Sequence, residues 1–154
     1  MSSLAGKTVI VTGASKGIGA ATAQAMITAG ARLIAHYGSD RAGAERATAL
    51  ASDGQVTLLQ ADFFDMDAVD TFWTEALKTA GGCIDVLVNN AGIMQQTGGI
   101  EDPIEAWDDA WSKSIVVNVD APARLMRHAV RSWLAAEKTG SLIAIGSWVT
   151  TRGT

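Results

Sequence analysis

Thr12-Gly13-Ala14-Ser15-Lys16-Gly17-Ile18-Gly19 is the stretch that decides the fold of this chain. It follows the apolar run 8–11, which is typical of a buried strand, and it opens onto residues 18–26, whose apolar residues have helical spacing. A strand that turns through glycines directly into a helix leaves unpaired backbone N–H groups at the positive end of the helix dipole. Phosphate groups bind at such a place, so the stretch predicts a nucleotide site.

The glycine spacing gives each of the three glycines a role. Gly13 lets the chain leave the strand, Gly17 allows the backbone to approach a pyrophosphate, and Gly19 allows the helix to pack closely on the sheet. The spacing is longer than the usual dinucleotide fingerprint, and a Walker loop does not fit because Lys16 precedes the last two glycines. A tight strand-to-helix turn that binds no ligand is the alternative.

Composition and charge exclude several classes of protein. The 154 residues suit one domain, and 48% hydrophobic with 18% charged residues is typical of a globular chain. A net charge of −4 argues against a nucleic-acid partner, which requires a basic face. With Cys83 as the only cysteine and His36 and His128 as the only histidines, neither a disulfide nor a Cys/His metal site is expected. We expect a cytoplasmic protein without a membrane partner, since no secretory leader and no bilayer-length apolar run is found.

The rest of the chain alternates between strands and helices. Apolar runs predict strands at 32–36, 56–60, 84–88 and 142–145. Helical spacing predicts helices at 41–52 and 68–80, and a long helical region from Ile104 with a bend at Pro122. The alternation predicts an α/β fold, a doubly wound Rossmann-type parallel sheet with strand order 3-2-1-4-5.

The end of the second strand bears on the choice of cofactor. Dinucleotide folds that bind NAD carry an acidic residue there, which excludes a 2′-phosphate. This chain has Tyr37 and Ser39 instead, and Asp40 comes one step too late. Lys16 and Arg41 flank the place where a 2′-phosphate would lie, so the pattern favours NADP(H) over NAD(H). The alternative is that both cations are solvated surface charges.

Polar residues follow three later strands, at the edge of the sheet where open α/β folds bind ligands. Asp62 and Phe63 follow the third strand, and Asp62 suits both the adenine edge and the cap of the next helix. The tetrad Asn89-Asn90-Ala91-Gly92 follows the fourth strand and lets the backbone pass close under a cofactor. Ser147 follows the fifth strand without the Gly-x-Ser-x-Gly pattern of a hydrolase. Asn118 stands among valines in the long helix, so it is either bonded to helix backbone or functional.

These motifs resemble the short-chain dehydrogenase/reductase family, and the resemblance extends from about Gly6 to the end of the chain. Members of that family are doubly wound oxidoreductases that move a hydride between NAD(H) or NADP(H) and an alcohol or carbonyl. The resemblance implies that Ser147 stabilises charge on the substrate oxygen and that Asn118 holds a water in a proton relay. It also implies cofactor-binding residues: Gly13, Ser15, Lys16, Gly17, Ile18 and Gly19 near the phosphates, Tyr37, Ser39, Asp62 and Phe63 near the adenosine, and Asn90, Ala91 and Gly92 under the ribose.

One part of the family's pattern is missing. The family's acid/base is a tyrosine in a Tyr-x-x-x-Lys motif that follows the serine, whereas the only tyrosine here is Tyr37. We therefore expect residues 1–154 alone to be inactive. The fifth strand is apolar on both faces, which is unusual for a sheet edge, so we expect this single domain to be incomplete at its C-terminus. The rival interpretation is a non-catalytic, nucleotide-binding regulatory module.

Two further expectations concern partners. The substrate is expected to be a small-molecule alcohol or ketone, and the residues expected to border its pocket are Met94, Gln95, Gln96, Trp148 and Val149. An apolar stripe runs from Trp107 to Trp133, and it suits either the core or the interface of a homodimer or homotetramer, as the family's long helix often forms.

Overall fold

The computed structural model describes residues 3–96 and 99–147, and a five-stranded sheet lies at its centre. The strands are β1 (Thr8–Val11), β2 (Arg32–Tyr37), β3 (Val56–Gln60), β4 (Val86–Asn89) and β5 (Ser141–Ala144). Neighbouring strands are parallel throughout, in the order β3-β2-β1-β4-β5, which confirms the predicted topology. All five carboxyl ends therefore lie at one edge of the sheet.

Helices cover both faces of this sheet. They are α1 (Gly17–Thr28), α2 (Arg41–Ala47), α3 (Met66–Thr79), α4 (Ile104–Ile115) and α5 (Ala121–Ala135), and a π-helical turn, Val116–Asp120, joins the last two. Successive side chains of a strand point to opposite faces. Ile10 of β1 accordingly packs in the cluster formed with α3 and α5, whereas Val9 and Val11 pack in the cluster formed with α1. Two separate cores thus hold the sheet between two helical layers.

Helix α2 is shorter than predicted. The alanine-rich pattern predicts a helix to Ser52, but α2 ends at Ala47. The hydroxyl of Thr48 donates to a carbonyl group of the preceding turn (2.9 Å), and Gln55 accepts the N–H of Ser52 (3.0 Å). Gln55 also donates to the carbonyl groups of Ile27, in the last turn of α1, and of Ala31, just before β2. These two tertiary hydrogen bonds tie the segment after α2 to the sheet, which helix propensity alone cannot anticipate.

The long helical region is interrupted earlier than predicted. Pro122 lies in the first turn of α5 and directly follows the π-helical turn, so the helical region continues through it. The irregularity is instead the π-helical turn Val116–Asp120, which contains Asn118. Such turns insert one extra residue into a helix and are frequent at functional sites.

The strands β4 and β5 start at different residues from those predicted. Ile84 is not part of β4, and Asp85 accepts hydrogen bonds from the N–H of Thr8 (2.9 Å) and the ammonium of Lys7 (2.8 Å). Burial acts to raise the pKa of Asp85, but these hydrogen bonds outweigh it and hold the pKa below its usual value. The carboxylate thus joins the amino ends of β1 and β4.

Strand β5 forms one edge of the sheet. Within the described residues it pairs with β4 alone, in a register that sets Ser141 beside Val86. The apolar side chains of Leu142 and Ile143 point to opposite faces and are 40% and 42% exposed. The fifth strand is therefore apolar on both faces, as its sequence predicts, and its residues are exposed within the described part of the chain.

Candidate functional site

A cavity of about 680 Å³ lies at the carboxyl ends of the strands. Open α/β sheets bind ligands at this edge, and ligand cavities typically measure about 300–1,000 Å³. Most residues predicted to bind a cofactor line it: Gly13, Ser15, Lys16, Ile18, Gly19, Ser39, Asp62, Phe63, Asn90, Ala91 and Gly92. The cavity also has walls that sequence reasoning did not select, including His36, Gly38, Asp40, Gln60, Phe64, Ile93, Val117 and Ile145.

Four predicted site residues lie outside the cavity lining. Gly17 is exposed in the turn with a φ of 56°, and Tyr37 is buried in the sheet with 7% of its surface exposed. Asn118 is exposed on the π-helical turn, and Ser147 is exposed after β5. The structure therefore brings together the predicted cofactor residues near the sheet, but it does not bring Asn118 or Ser147 into this cavity.

The start of α1 offers backbone donors to the cavity. Lys16 is the N-cap residue, and its side chain makes no capping hydrogen bond to the helix. The N–H groups of Gly17, Ile18 and Gly19 belong to the first helical turn, where no earlier carbonyl group can accept them. The first turn also holds no acidic side chain, so nothing there repels an anion. These features fit a phosphate group of a nucleotide.

Glycine is required where the turn contacts the end of β4. Gly13 has a φ of 66°, and a Cβ at this position would lie 2.9 Å from the Cα of Ala91. A Cβ on Gly19 would lie closer than 3.0 Å to both the carbonyl oxygen of Gly13 and the side-chain amide of Asn90. The absence of side chains at both glycines therefore lets α1, the turn and the segment after β4 meet at the cavity.

Thr12 and Asn90 hold the two neighbouring strand ends together. The hydroxyl oxygen of Thr12 accepts the N–H groups of Asn90 and Ala91, both at 2.9 Å. In return, Asn90 Nδ2 donates to the carbonyl oxygens of Thr12 (2.8 Å) and Gly13 (3.1 Å). Thr12 is only 1% exposed, so these hydrogen bonds are shielded from water. They fix the position of the Asn90-Ala91-Gly92 wall relative to the glycine-rich turn.

His36 is a site residue that sequence reasoning missed. Its Nδ1 accepts the N–H of Gly13 (3.1 Å), so the ring hydrogen is on Nε2, which donates to the carbonyl oxygen of Ala61 (3.1 Å). Its ring stacks on Phe63 with centroids 4.0 Å apart and an angle of 6° between the planes. Burial lowers the pKa of His36 to about 4, so the imidazole is neutral near pH 7. A single histidine at the end of an apolar strand gives no sequence signal for this role.

We expect the free energy of unfolding to fall as the pH decreases from about 6.5 to about 4. In this range His36 binds a proton in the unfolded chain but not in the native one, because its pKa is lowered to about 4. The full loss is about 3 kcal/mol, at about 1.4 kcal/mol for each pH unit. Urea unfolding at pH 7, 5 and 4 measures it, and the His36→Phe variant should lack this part of the pH dependence. An equal slope in both proteins would contradict the expectation.

Asn118 binds the backbone of Ile93. Its Oδ1 accepts the N–H of Ile93 (2.8 Å), and its Nδ2 donates to the carbonyl oxygen of the same residue (2.9 Å). The π-helical turn therefore holds the segment that leaves the cavity wall at Gly92. The sequence left open whether Asn118 bonds the backbone of its own helix. In the structure its amide bonds the backbone of Ile93 in a different segment. One lone pair and one N–H of the amide remain available for a ligand or water.

The end of β2 carries charges of both signs. Lys16 and Asp40 both line the cavity, whereas Arg41 does not. Arg41 instead forms an ion pair with Glu45 of its own helix (2.8 Å). Asp40 is the N-cap of α2 and accepts the N–H of Gly43 at 2.8 Å. Of the two cations predicted to flank a 2′-phosphate, only Lys16 therefore borders the cavity.

In the loop after β3, two different residues have the two roles that the sequence analysis gave to Asp62, at the adenine edge and at the cap of the next helix. Asp62 lines the cavity, and its carboxylate accepts the N–H of Phe64 (3.0 Å). The N-cap of α3 is Asp65, which accepts the N–H of Asp67 (2.9 Å). The prediction that Asp62 caps this helix was therefore wrong, because the loop is three residues longer than that role requires.

Other predicted features have the following positions. Met94 is 91% exposed beyond the cavity wall, and Trp148 and Val149 lie outside the described residues. Among residues 3–96 and 99–147, no group of three or more His, Cys, Asp or Glu side chains is placed to hold a metal ion. No helix in these two ranges has both the length and the apolar character that a membrane crossing needs.

Comparisons with known proteins agree with the fold. The sequence profile of the family described as short chain dehydrogenase matches residues 7–154. A short chain dehydrogenase/reductase of Colletotrichum higginsianum is 37% identical over 152 residues, 97% of this chain. A 3beta-hydroxysteroid dehydrogenase of Eggerthella lenta is 34% identical over 146 residues, 94% of this chain. The crystal structure of a metagenomic short-chain oxidoreductase in complex with NADP superimposes with a TM-score of 0.80 at 35% identity, covering 99% of this chain and 67% of that one.

The chain spans about half the length of the curated relatives it matches. The alignment covers 55% of the Colletotrichum higginsianum protein and 54% of the Eggerthella lenta protein. The matched part of this chain includes the glycine-rich turn, the cavity and the strand ends that surround it.

Proposed function

The chain belongs to the short-chain dehydrogenase/reductase family, and from this premise we propose that the protein is an NAD(P)-dependent oxidoreductase. Its substrate is an alcohol or carbonyl compound of small size. The observation that carries the proposal is the cavity in which the glycine-rich turn, the end of β2 and the segment Asn90-Ala91-Gly92 meet. That arrangement presents backbone N–H donors, an aromatic wall and a close backbone approach to one elongated ligand.

In this proposal three groups of described residues each contact a different part of the cofactor. The N–H groups at the start of α1 hold the phosphates, the wall formed by Asp62 and Phe63 holds the adenine, and Ala91 and Gly92 lie under a ribose. Gly92 has no side chain to obstruct a ligand, and the hydrogen bonds of Asn118 to Ile93 hold the following backbone in place. The bound dinucleotide supplies the hydride that is transferred.

The residues near the reacting centre are Ser147 and Asn118. In this proposal Ser147 donates a hydrogen bond to the substrate oxygen, where negative charge develops as a carbonyl group is reduced. Asn118 uses the free part of its amide to hold a water that relays a proton. Tyr37, the only tyrosine of the sequence, is buried in β2 and cannot serve as acid/base there. Residues 1–154 alone are therefore proposed to bind the cofactor without turnover.

NADP(H) is the favoured cofactor, and NAD(H) is the alternative. Lys16 and Ser39 both line the cavity, and Lys16 can neutralise a 2′-phosphate. The carboxylate of Asp40 also borders the cavity and would repel that group, which favours NAD(H). One oxygen of Asp40 is engaged with the N–H of Gly43, which keeps the carboxylate turned to its own helix. This engagement is why we place more weight on Lys16.

Replacing Lys16 by alanine is expected to raise the Kd of NADPH about fivefold and to leave the Kd of NADH nearly unchanged. A solvent-exposed cation contributes about 1 kcal/mol to such a contact, which corresponds to a factor of about five. Calorimetric titration of both cofactors measures the effect. Arg41→Ala is the matched control, because Arg41 is paired with Glu45 and lies outside the cavity lining. If Lys16→Ala weakens both cofactors equally, Lys16 does not contact a 2′-phosphate.

The proposed function is tested by cofactor titration and turnover of the full natural protein. Binding of NADPH or NADH is followed by its fluorescence, and oxidation of the bound cofactor is then assayed with aldehydes, simple ketones and a 3-ketosteroid. The steroid is included because one relative is named as a 3beta-hydroxysteroid dehydrogenase. Binding with turnover supports the proposal. Binding without any turnover in the full protein favours a non-catalytic, nucleotide-binding regulatory module, and absence of binding contradicts both functions.

Residues 1–154 give a second, independent measurement. Loss of a positioned acid/base costs a factor of about 10²–10⁴ in rate, so this chain alone should show no measurable turnover. Turnover by a preparation that contains only these residues would contradict the proposal that they bind the cofactor without turnover.

We further propose a homodimer or homotetramer in the cytoplasm. Trp107 and Trp111 stack on each other on α4 with centroids 5.4 Å apart, and they are 41% and 52% exposed. Exposed aromatic pairs of this kind are common at subunit interfaces. Sedimentation of the full natural protein tests this assembly.

A further inference from the structure

His36 lies where one side chain can reach both neighbouring strands. Its strand, β2, runs between β1 and β3 in the sheet. The groups that its ring bonds, the N–H of Gly13 and the carbonyl oxygen of Ala61, come just after β1 and β3 end. Each of these groups is 3.1 Å from a ring nitrogen. A single imidazole therefore connects two loops that are separated by about the width of two strand spacings.

The ring is held so that it cannot move without those loops. Phe63 stacks on its face at 4.0 Å, and Phe72 meets it edge-on with centroids 5.1 Å apart. Only 3% of His36 is exposed. With both nitrogens bonded and both faces of the ring enclosed, rotation about its side-chain bonds would break both hydrogen bonds at once.

The two connected loops both contribute residues to the lining of the cavity. Gly13 belongs to the turn that offers N–H groups to a phosphate, and Ala61 precedes Asp62 and Phe63 at the proposed adenine wall. Strands β1 and β3 are not neighbours in the sheet, so no backbone ladder fixes the spacing between the ends of these two strands. Each loop does bond to the backbone of β2, and the His36 side chain adds a direct connection between the loops.

We infer that His36 is a positioning residue that fixes the distance between the phosphate-binding turn and the adenine wall. The inference rests on the proposed function and deepens it. A ligand that spans both walls gains from their fixed separation, since the protein need not order two loops on binding. A ligand that touches one wall alone gains nothing from it. His36 thereby favours a whole dinucleotide over its adenosine half.

Two substitutions separate the hydrogen bonds from the shape of the ring. His36→Phe keeps the ring volume and the stacking on Phe63 but removes both hydrogen bonds. In His36→Asn the side-chain oxygen takes the place of Nδ1 and accepts the N–H of Gly13, while the bond to Ala61 is lost. His128→Phe is the matched control, because His128 bonds Asp70 (2.7 Å) between α5 and α3, outside the cavity lining.

The experiment measures two dissociation constants for each variant of the full natural protein, well below its unfolding temperature. The ligands are adenosine and whichever of NADPH and NADH the unsubstituted protein binds more tightly. We expect His36→Phe to raise the Kd of the dinucleotide by about 10- to 100-fold, the effect of one or two lost hydrogen bonds. His36→Asn should lie between this variant and the unsubstituted protein. The Kd of adenosine should change less than threefold in all of them, and His128→Phe should bind both ligands normally.

The outcomes that overturn the inference differ from those that overturn the proposed function. If the unsubstituted protein binds neither dinucleotide, the proposed function fails and the inference fails with it. If it binds one and His36→Phe binds it equally well, the inference alone is overturned. An equal weakening of adenosine and dinucleotide would also overturn it, because that pattern indicates a general distortion and not a lost separation.

Discussion

Replacement of Gly19 by alanine is expected to raise the Kd of the dinucleotide by about 100-fold, which corresponds to about 2.7 kcal/mol. The added Cβ would lie closer than 3.0 Å to the carbonyl oxygen of Gly13 and to the side-chain amide of Asn90. Neither group can retreat, since Asn90 Nδ2 donates to Gly13 and also to Thr12. The start of α1 must therefore move away from the strand ends, and its N–H groups move with it. Overpacking of a close contact costs about 1–3 kcal/mol, which agrees with this estimate.

The same substitution is expected to change the free energy of unfolding much less. Alanine stabilises a helix interior by about 1 kcal/mol relative to glycine, which offsets part of the overpacking. Titration with NADPH or NADH and urea unfolding measure the two effects separately. Gly99→Ala is the control, because a Cβ on Gly99 meets no atom of the described residues within 4 Å. Equal affinity in Gly19→Ala and Gly99→Ala would mean that the turn does not hold the phosphates as proposed.

The sheet could be predicted from the sequence because its signals are local. Each predicted strand is a short apolar run that ends in glycine or polar residues, and all five occur within about two residues of their predicted positions. The strand order 3-2-1-4-5 is that of the dinucleotide-binding fold, which the glycine-rich turn after the first strand indicates. Boundaries set by tertiary contacts were less predictable. Helix α2 ends early, and the residues after it include Gln55, which bonds the distant carbonyl groups of Ile27 and Ala31.

Part of the cavity lining could also be predicted from the sequence, because its signals are local too. Gly13, Gly19 and Asn90 stand in motifs where the backbone segments approach each other closely. That approach requires these residue types, so the three residues can be predicted from the sequence. The role of His36 depends on two partners 23 and 25 residues away, and no local pattern records them. The π-helical turn around Asn118 was missed because the local sequence has ordinary helical spacing. Its cause is tertiary, since the amide of Asn118 bonds Ile93.

Replacement of Thr12 by valine is expected to lower the free energy of unfolding by about 3 kcal/mol. Valine has nearly the same shape, but it cannot accept the N–H groups of Asn90 and Ala91, each now 2.9 Å from the hydroxyl oxygen. A buried donor left without a partner costs about 1–3 kcal/mol, and two donors are affected. Ala91 and Asn90 are only half-buried, so water recovers part of the loss. For a domain with a total stability of about 5–15 kcal/mol this is a large fraction.

Thr8→Val distinguishes the lost hydrogen bonds from the change of residue type. Thr8 is the first residue of β1, the strand that ends just before Thr12. It is 7% exposed, and its hydroxyl makes no hydrogen bond to any other described residue. Its substitution should therefore change the midpoint of urea unfolding only slightly, whereas Thr12→Val should lower it clearly with an unchanged slope. Thr12→Val should also weaken dinucleotide binding, because Asn90-Ala91-Gly92 would no longer be tied to the glycine-rich turn. Similar midpoints for the two variants would mean that the Asn90 side chain holds these strand ends together without the hydroxyl of Thr12.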